Sequence, residues 1–344
     1  MNNKVIIIAE AGVNHNGDFA NAKKLILAAA NAGADYVKFQ TFQADKLVSK
    51  DAQKAAYQKV NLKEDGDTQY DMLKKLEMSE QWHYDLIKYA NDCGIKFLST
   101  GFDEDSIDFL DSLNIDLFKV PSGEITNKPF LEHIAKKKKQ VIISTGMANL
   151  DDVRGALDIF YNNGMLKSSI TILHCNTEYP TPMTDVNLKA MLTLREEFEV
   201  NIGYSDHTLG IEVPIAAVAL GASVIEKHFT LDKNMFGPDH KASLIPEELK
   251  EMVEAIRNIE LAISGNGIKE ASLSEQKNLL IARKSIHTKN AIKKRQIIKR
   301  EDLIMIRPGD GISPMLIESV IGSLANKNLP QGYKISHSDL TKRI

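Results

Sequence analysis

The chain has 344 residues, 26% of them charged, and a net charge of −3 at neutral pH. That length supports one large core and a smaller second one, and the near-neutral balance excludes a nucleic-acid-binding footprint. Two cysteines, Cys93 and Cys175, exclude a disulfide framework, while the five apolar residues near the N-terminus and the lack of any long apolar run point to the cytoplasm.

The first element is a continuous apolar run at 5–9, closed by Glu10, which reads as a buried strand. A polar loop, Asn14-His15-Asn16-Gly17, leads to an Ala-rich helix over 21–32 that stops at Gly33. A second strand follows at 36–39. The alternation then repeats, with strands at 96–99, 117–120, 141–144, 170–174, 201–204 and 223–226. Helical patterns lie between and after them, near 80–93, 104–112, 128–137, 150–162, 186–197, 210–220 and 246–262. Strands alternating with helices imply a parallel sheet, and eight such units over 1–265 imply a (β/α)8 TIM barrel in the α/β class. A doubly wound open sheet ranks below it, because no Gly-x-Gly-x-x-Gly follows the first strand.

The long polar stretch 44–71 reads as a structureless loop on the active face, and so as a lid. Residues 266–284 read as a linker. Residues 285–344 read as a small mixed domain with short β-like runs at 285–288, 297–298 and 303–306, too small to stand alone comfortably.

A barrel places its functional groups at the C-terminal ends of its strands. In order, those ends carry Glu10, Lys38 with Gln40, Ser99 with Thr100, and Lys119 with Ser122 and Glu124. Then come Ser144 with Thr145, His174 with Asn176, Asp206 with His207, and Glu226 with His228. Two Lys and two Glu abut apolar strands directly, and a buried charge must be paired or used. Lys38 and Lys119 with the hydroxyls of Thr100, Ser122, Ser144 and Ser205 suit a phosphate or carboxylate. The triplets Ser205-Asp206-His207 and Glu226-Lys227-His228 end neighbouring strands. Each His alone could merely cap its strand. Together, with Asp206, Glu226 and Asp239 nearby, they form a candidate metal site with open positions.

These residues sit in an ordered set of motifs: AE-x-G-x-NH-x-G (9–17), VKFQTF (37–42), K-x-PSGE (119–124), ISTGM (143–147), LHC with YPTP (173–182), EKHFTLD (226–232) and GPDH (237–240). The set resembles the sialic acid synthase family, transferases that condense phosphoenolpyruvate with an N-acetylated mannosamine-type sugar. ARKS (282–285) and RPG-x-GISP (307–314) resemble that family's C-terminal antifreeze-like domain, of β-clip type.

The resemblance implies that His207 and His228 hold a divalent ion, Mn2+ foremost, with Mg2+ or Co2+ as alternatives. It implies phosphoenolpyruvate on Lys38, Thr100, Lys119, Ser122, Ser144, Asn176 and Ser205. The sugar would be held by Gln40, Glu124, Tyr179, Asp239 and Arg307, the last acting in trans within a domain-swapped homodimer. Glu10 is the candidate carboxylate that positions or deprotonates the attacking water, and Glu226 the candidate that assists it or supports the metal shell; either could instead be structural, Glu226 the more readily. N-acetylneuraminate is the favoured product. The alternative is N,N′-diacetyllegionaminate from 2,4-diacetamido-2,4,6-trideoxymannose, and a remoter one is another barrel aldolase.

Overall fold

The computed structural model describes residues 4–55, 58–59, 61 and 68–341. The chain divides into two compact units, Met1–Gly265 and Asn266–Ile344. The first is built on eight parallel strands: β1 (Ile6–Gly12), β2 (Tyr36–Thr41), β3 (Lys96–Gly101), β4 (Leu117–Val120), β5 (Gln140–Ser144), β6 (Ile170–Cys175), β7 (Asn201–Asp206) and β8 (Val224–His228). The hydrogen-bonded order is β3-β2-β1-β8-β7-β6-β5-β4. Because β1 pairs with both β2 and β8, the first and last strands are neighbours, and the sheet curls into a nearly closed TIM-like barrel. Runs such as Ile7-Ile8-Ala9 and Val141-Ile142-Ile143 are apolar on both faces, since one face meets the helices and the other the barrel interior.

Local chemistry sets the helix ends. Helix α1 (Phe19–Ala32) begins where the Asp18 carboxylate accepts from the amides of Ala20 and Asn21. It stops at Gly33, whose φ of +82° is the left-handed cap that Gly adopts without strain. Its buried stripe, Ala22, Leu25, Ile26 and Ala29, packs on the barrel.

The stretch 44–71, expected to be structureless, carries α2 (Ala44–Leu47) and the start of α3 (Gln69–Lys74). Thr68 caps α3, and Asp71 returns the bond to the Thr68 amide. Ala44, Met72, Leu73 and Leu76 form a small separate core with Val13 and Phe42, and Phe102 meets Phe42 edge to face at 6.0 Å. The middle of the expected lid, at 56–57, 60 and 62–67, lies outside the described residues.

Two polar networks pin the barrel mouth. Asn14 Nδ2 donates to the Phe229 carbonyl (2.8 Å) and to Ser243 Oγ (3.0 Å), while His240 joins Thr230 Oγ1 (2.7 Å) to Asn16 Oδ1 (3.1 Å). Much of the NH-x-G and GPDH motifs is therefore scaffold. Deeper, Lys227 pairs with Asp206 and donates to the Thr208 carbonyl, with both charged side chains fully buried. Burial pushes the Asp206 carboxyl up and the Lys227 ammonium down, against their mutual attraction.

In the second unit, Ser285–Thr288 pairs antiparallel with Leu303–Ile306, and Leu324–Ala325 with Leu340–Thr341. Its core is built from Ile286, Ile292, Ile298, Leu303, Val320, Leu329 and Ile335. The expected linker 266–284 instead contains a helix, Leu273–Ala282, opened by a Ser272–Glu275 capping box. Among the described residues, no helix is long and apolar enough to cross a membrane.

Lys227→Met strands a buried carboxylate and is expected to destabilise the barrel by about 3–5 kcal/mol, read from the urea midpoint. Adding Asp206→Asn should recover most of that loss. A double variant no better than the single would show that packing, not charge, dominates there.

Candidate functional site

Strand register assembles the site. Glu10 lies opposite Lys38 on one side and His228 on the other, Gln40 opposite Thr100, and Ser205 opposite Glu226. Their side chains meet in a cavity of about 560 Å³ at the C-terminal end of the barrel. Lys38 Nζ stands 2.6 Å from Glu10 Oε2 and 3.5 Å from Glu226 Oε2, and donates to Thr100 Oγ1 at 2.9 Å. Lys119 Nζ is 3.3 Å from Glu226 Oε1, which also accepts from Ser205 Oγ at 2.8 Å. Two buried cations and two buried carboxylates thus share one cluster.

The two carboxylates are not equivalent. Burial pushes Glu10 up to about 7, because Lys38 offsets it only in part and the Glu226 charge adds to it. Glu226 resists the same burial, since Lys119, Lys38 and the Ser205 hydroxyl hold it well below the usual carboxylate range. Glu226 is therefore a fixed anion, and Glu10 is the group able to take a proton near neutral pH. Burial lowers Lys119. Lys38 is raised despite its burial by Glu10 and Glu226.

Hydroxyls ring the lysines. Ser144 Oγ is buried without a hydrogen-bond partner among the described residues, and Ser122 Oγ accepts from the Gly146 amide at 3.0 Å. A Cβ on Gly146 would lie 2.5 Å from Thr177 Cγ2 and 2.8 Å from Ser122 Oγ, so only Gly lets these loops close together.

The same cavity is lined by two imidazoles, His207 and His228, with ring centroids 5.3 Å apart. Tyr179 stacks on His207 at 4.0 Å and meets His228 edge-on at 5.5 Å. Burial brings His207 down to about 4 and His228 well below its usual range, so both rings are neutral at pH 7. His207 Nδ1 bonds the Asn176 carbonyl, which can only accept, so the lone pair lies on Nε2. His228 Nδ1 is buried with no partner among the described residues. Two neutral nitrogens, one of them orphaned, fit a divalent ion. Among the described residues no third His, Cys, Asp or Glu completes a cluster, so the remaining ligands would be substrate and water oxygens.

Of the residues expected at the site, Glu10, Lys38, Gln40, Thr100, Lys119, Ser122, Ser144, Tyr179, Ser205, His207, Glu226, His228 and Asp239 all line this cavity. Burial pushes the Asp239 carboxyl up to about 6. Two expected residues, Asn176 and Glu124, lie outside this lining. Asn176 turns its side chain back on its own loop, accepting from the Glu178 amide and from Thr181 Oγ1, and Thr177 lines the cavity instead. Glu124 is outside the lining, its carboxylate accepting from Asn127 Nδ2 at 2.6 Å. Arg307 belongs to the second unit, where its Nε donates to the Ala282 carbonyl at 3.0 Å. Asp206 serves the buried pair with Lys227. The sequence reading missed Cys175, Phe102, Gln69, Met72, Leu73 and Leu76 in the lining. The Thr68-x-x-Asp71 cap was the one available signal for the last four.

Residues 25–269 match the NeuB family. The chain belongs to that family. It is 54% identical over 325 residues to the N,N′-diacetyllegionaminic acid synthase of Campylobacter jejuni, covering 94% of this chain and 97% of that protein. It is likewise 54% identical over 329 residues to the N,N′-diacetyllegionaminic acid synthase of Legionella pneumophila, covering 95% and 92%. Among solved structures, the N-acetylneuraminic acid synthetase of Leptospira borgpetersenii superposes with a TM-score of 0.70 at 35% identity, over 80% of this chain and 90% of that one.

A carboxyl raised from 4.5 to about 7 contributes stability that is full below pH 4.5 and lost as pH rises through 7. In chelator-treated protein, Glu10→Gln should remove that loss across pH 4.5–7, read as the flattening of unfolding midpoint against pH. An unchanged pH profile would place the titration elsewhere.

Proposed function

We propose that this protein condenses phosphoenolpyruvate with open-chain 2,4-diacetamido-2,4,6-trideoxymannose, giving N,N′-diacetyllegionaminate and phosphate. The observation that carries the reading is the Lys38–Lys119 pair, ringed by hydroxyls and sharing one cavity with two neutral imidazoles. Identity of 54% to two proteins named as N,N′-diacetyllegionaminic acid synthases supports this product over the N-acetylneuraminate that the motifs alone favoured.

In this reading Lys38, Lys119 and the hydroxyls of Thr100, Ser122, Ser144 and Ser205 bind phosphoenolpyruvate and orient its C3 toward the sugar. Glu226, fixed as an anion, holds both ammonium groups in place. His207 and His228 would hold the divalent ion, Mn2+ in this proposal, which when bound supplies Lewis-acid polarisation of the sugar aldehyde. The C2–C3 π pair forms a bond from C3 to the aldehyde carbon, leaving C2 cationic, and the aldehyde oxygen takes a proton from water. Water adds at C2, passing its proton to Glu10. The bond between C2 and the phosphate oxygen then breaks, phosphate leaves with the electron pair, and the new C2 hydroxyl gives its proton to the departing phosphate as C2 becomes the ketone.

Phosphate release from phosphoenolpyruvate with Mn2+ tests the proposal. The 2,4-diacetamido sugar should be turned over with higher kcat/KM than N-acetylmannosamine. The reverse preference would overturn the product, and borohydride trapping of a pyruvyl adduct on Lys would overturn the condensation. His207→Ala and His228→Ala should each lose Mn2+ binding, measured by electron paramagnetic resonance, together with activity. A variant still active in chelated buffer would sink the metal assignment.

A further inference from the structure

The cavity has two chemically distinct parts. Lys38 and Lys119 project from within β2 and β4, whereas Val13 and Phe102 lie one residue beyond the ends of β1 and β3. With Met72, Leu73 and Leu76 from α3 and the turn after it, these two make an apolar wall. The wall is preorganised, because Met72, Leu73 and Leu76 are themselves no more than 9% exposed, packed with Val13 and Phe42 in the small separate core. Gln69, from the same helix, lines the cavity beside them and offers a primary amide.

Resting on the condensation proposed above, we infer that this wall is the sugar-specificity element. Met72 and Leu73 cover the methyl group at C6, and Gln69 hydrogen-bonds the acetamido group at C4. The aldehyde end is fixed at the imidazoles, where Gln40 also stands: a Cβ on Gly12 would lie 3.4 Å from Gln40 Nε2 and 3.5 Å from the His228 ring. The far end of the chain must therefore point toward the loops. The two candidate sugars differ only there. At C4 an acetamido group replaces the hydroxyl, and at C6 loss of the hydroxyl turns the terminal carbon into a methyl. A polyhydroxylated tail would leave its hydroxyls unpaired against Val13, Met72 and Leu73, whereas a methyl covers that surface and releases its water. An amide beside the wall satisfies the donor and acceptor that an acetamido group brings with it.

The test uses four sugars: N-acetylmannosamine, its 6-deoxy derivative, its 4-acetamido derivative, and the sugar with both changes. The wild type should favour each 6-deoxy sugar over its 6-hydroxyl partner by about tenfold or more in kcat/KM, the range one methyl-sized contact gives. Met72→Gln, which keeps the length of the side chain, should erase that preference while leaving the KM for phosphoenolpyruvate unchanged. Leu73→Asn should do the same, and Met72→Leu should preserve the preference. Gln69→Ala should lower the preference for the 4-acetamido sugars without touching that for the methyl. A methyl preference that survives both polar variants in an active enzyme would overturn the inference. No phosphate release by the wild type with any of the four would instead overturn the condensation itself.

Discussion

Everything at the mouth of this barrel depends on keeping four charges out of water without letting them cancel. Lys38, Lys119, Glu10 and Glu226 are each too costly to bury alone. The register of β1, β2 and β8 sets Glu10 beside Lys38, and that of β7 and β8 sets Glu226 beside Ser205. The result is asymmetric. Glu226 touches both ammonium groups and stays ionised, while Glu10 touches one and is left balanced near neutrality. An anionic ligand entering between the lysines would take over the role of Glu226 without having to create positive charge. That is how a preorganised site lowers the cost of binding a dianion.

The same economy explains why neighbouring polar residues are not part of the chemistry. Asp206 and Lys227 sit next to the ligating candidates in sequence, but they satisfy one another on the other side of the strands. Alternation along β7 and β8 separates them: Ser205 and Glu226 face the cavity, and Asp206 and Lys227 face away. Asn14, Asn16 and His240 are likewise spent on holding loops together.

The barrel was legible because parallel strands buried on both faces leave unbroken apolar runs, such as Ile6-Ile7-Ile8 and Val141-Ile142-Ile143. Strand ends were less so. β1, β2, β3, β7 and β8 each continue two or three residues past the apolar run, carrying Gly12, Gln40, Thr100, Asp206 and His228 as strand residues. Hydrophobicity stops where the site begins, so it cannot mark the end of the ladder. Asn176 was expected in the lining, but its side chain accepts from the Glu178 amide and Thr181 Oγ1 while Thr177 lines the cavity, and such local hydrogen bonding is invisible to spacing. The apolar wall went unseen because Met72 and Leu73 lie in a stretch dominated by Lys, Gln and Asp. Their place in the lining appears only when α3 folds back on Val13 and Phe42.

The seam between β1 and β8 carries a consequence for how the protein comes into being. Asn14 and Asn16 bond partners 215 to 229 residues away, and Glu10 pairs with a strand made only after residue 223. Contacts of such long range carry the largest loop-closure cost in the chain and slow its folding. The lysines emerge early in synthesis and the imidazoles late. A nascent chain that stops short of His228 lacks part of the site, so the lysines and the imidazoles can meet only once all eight strands have been made.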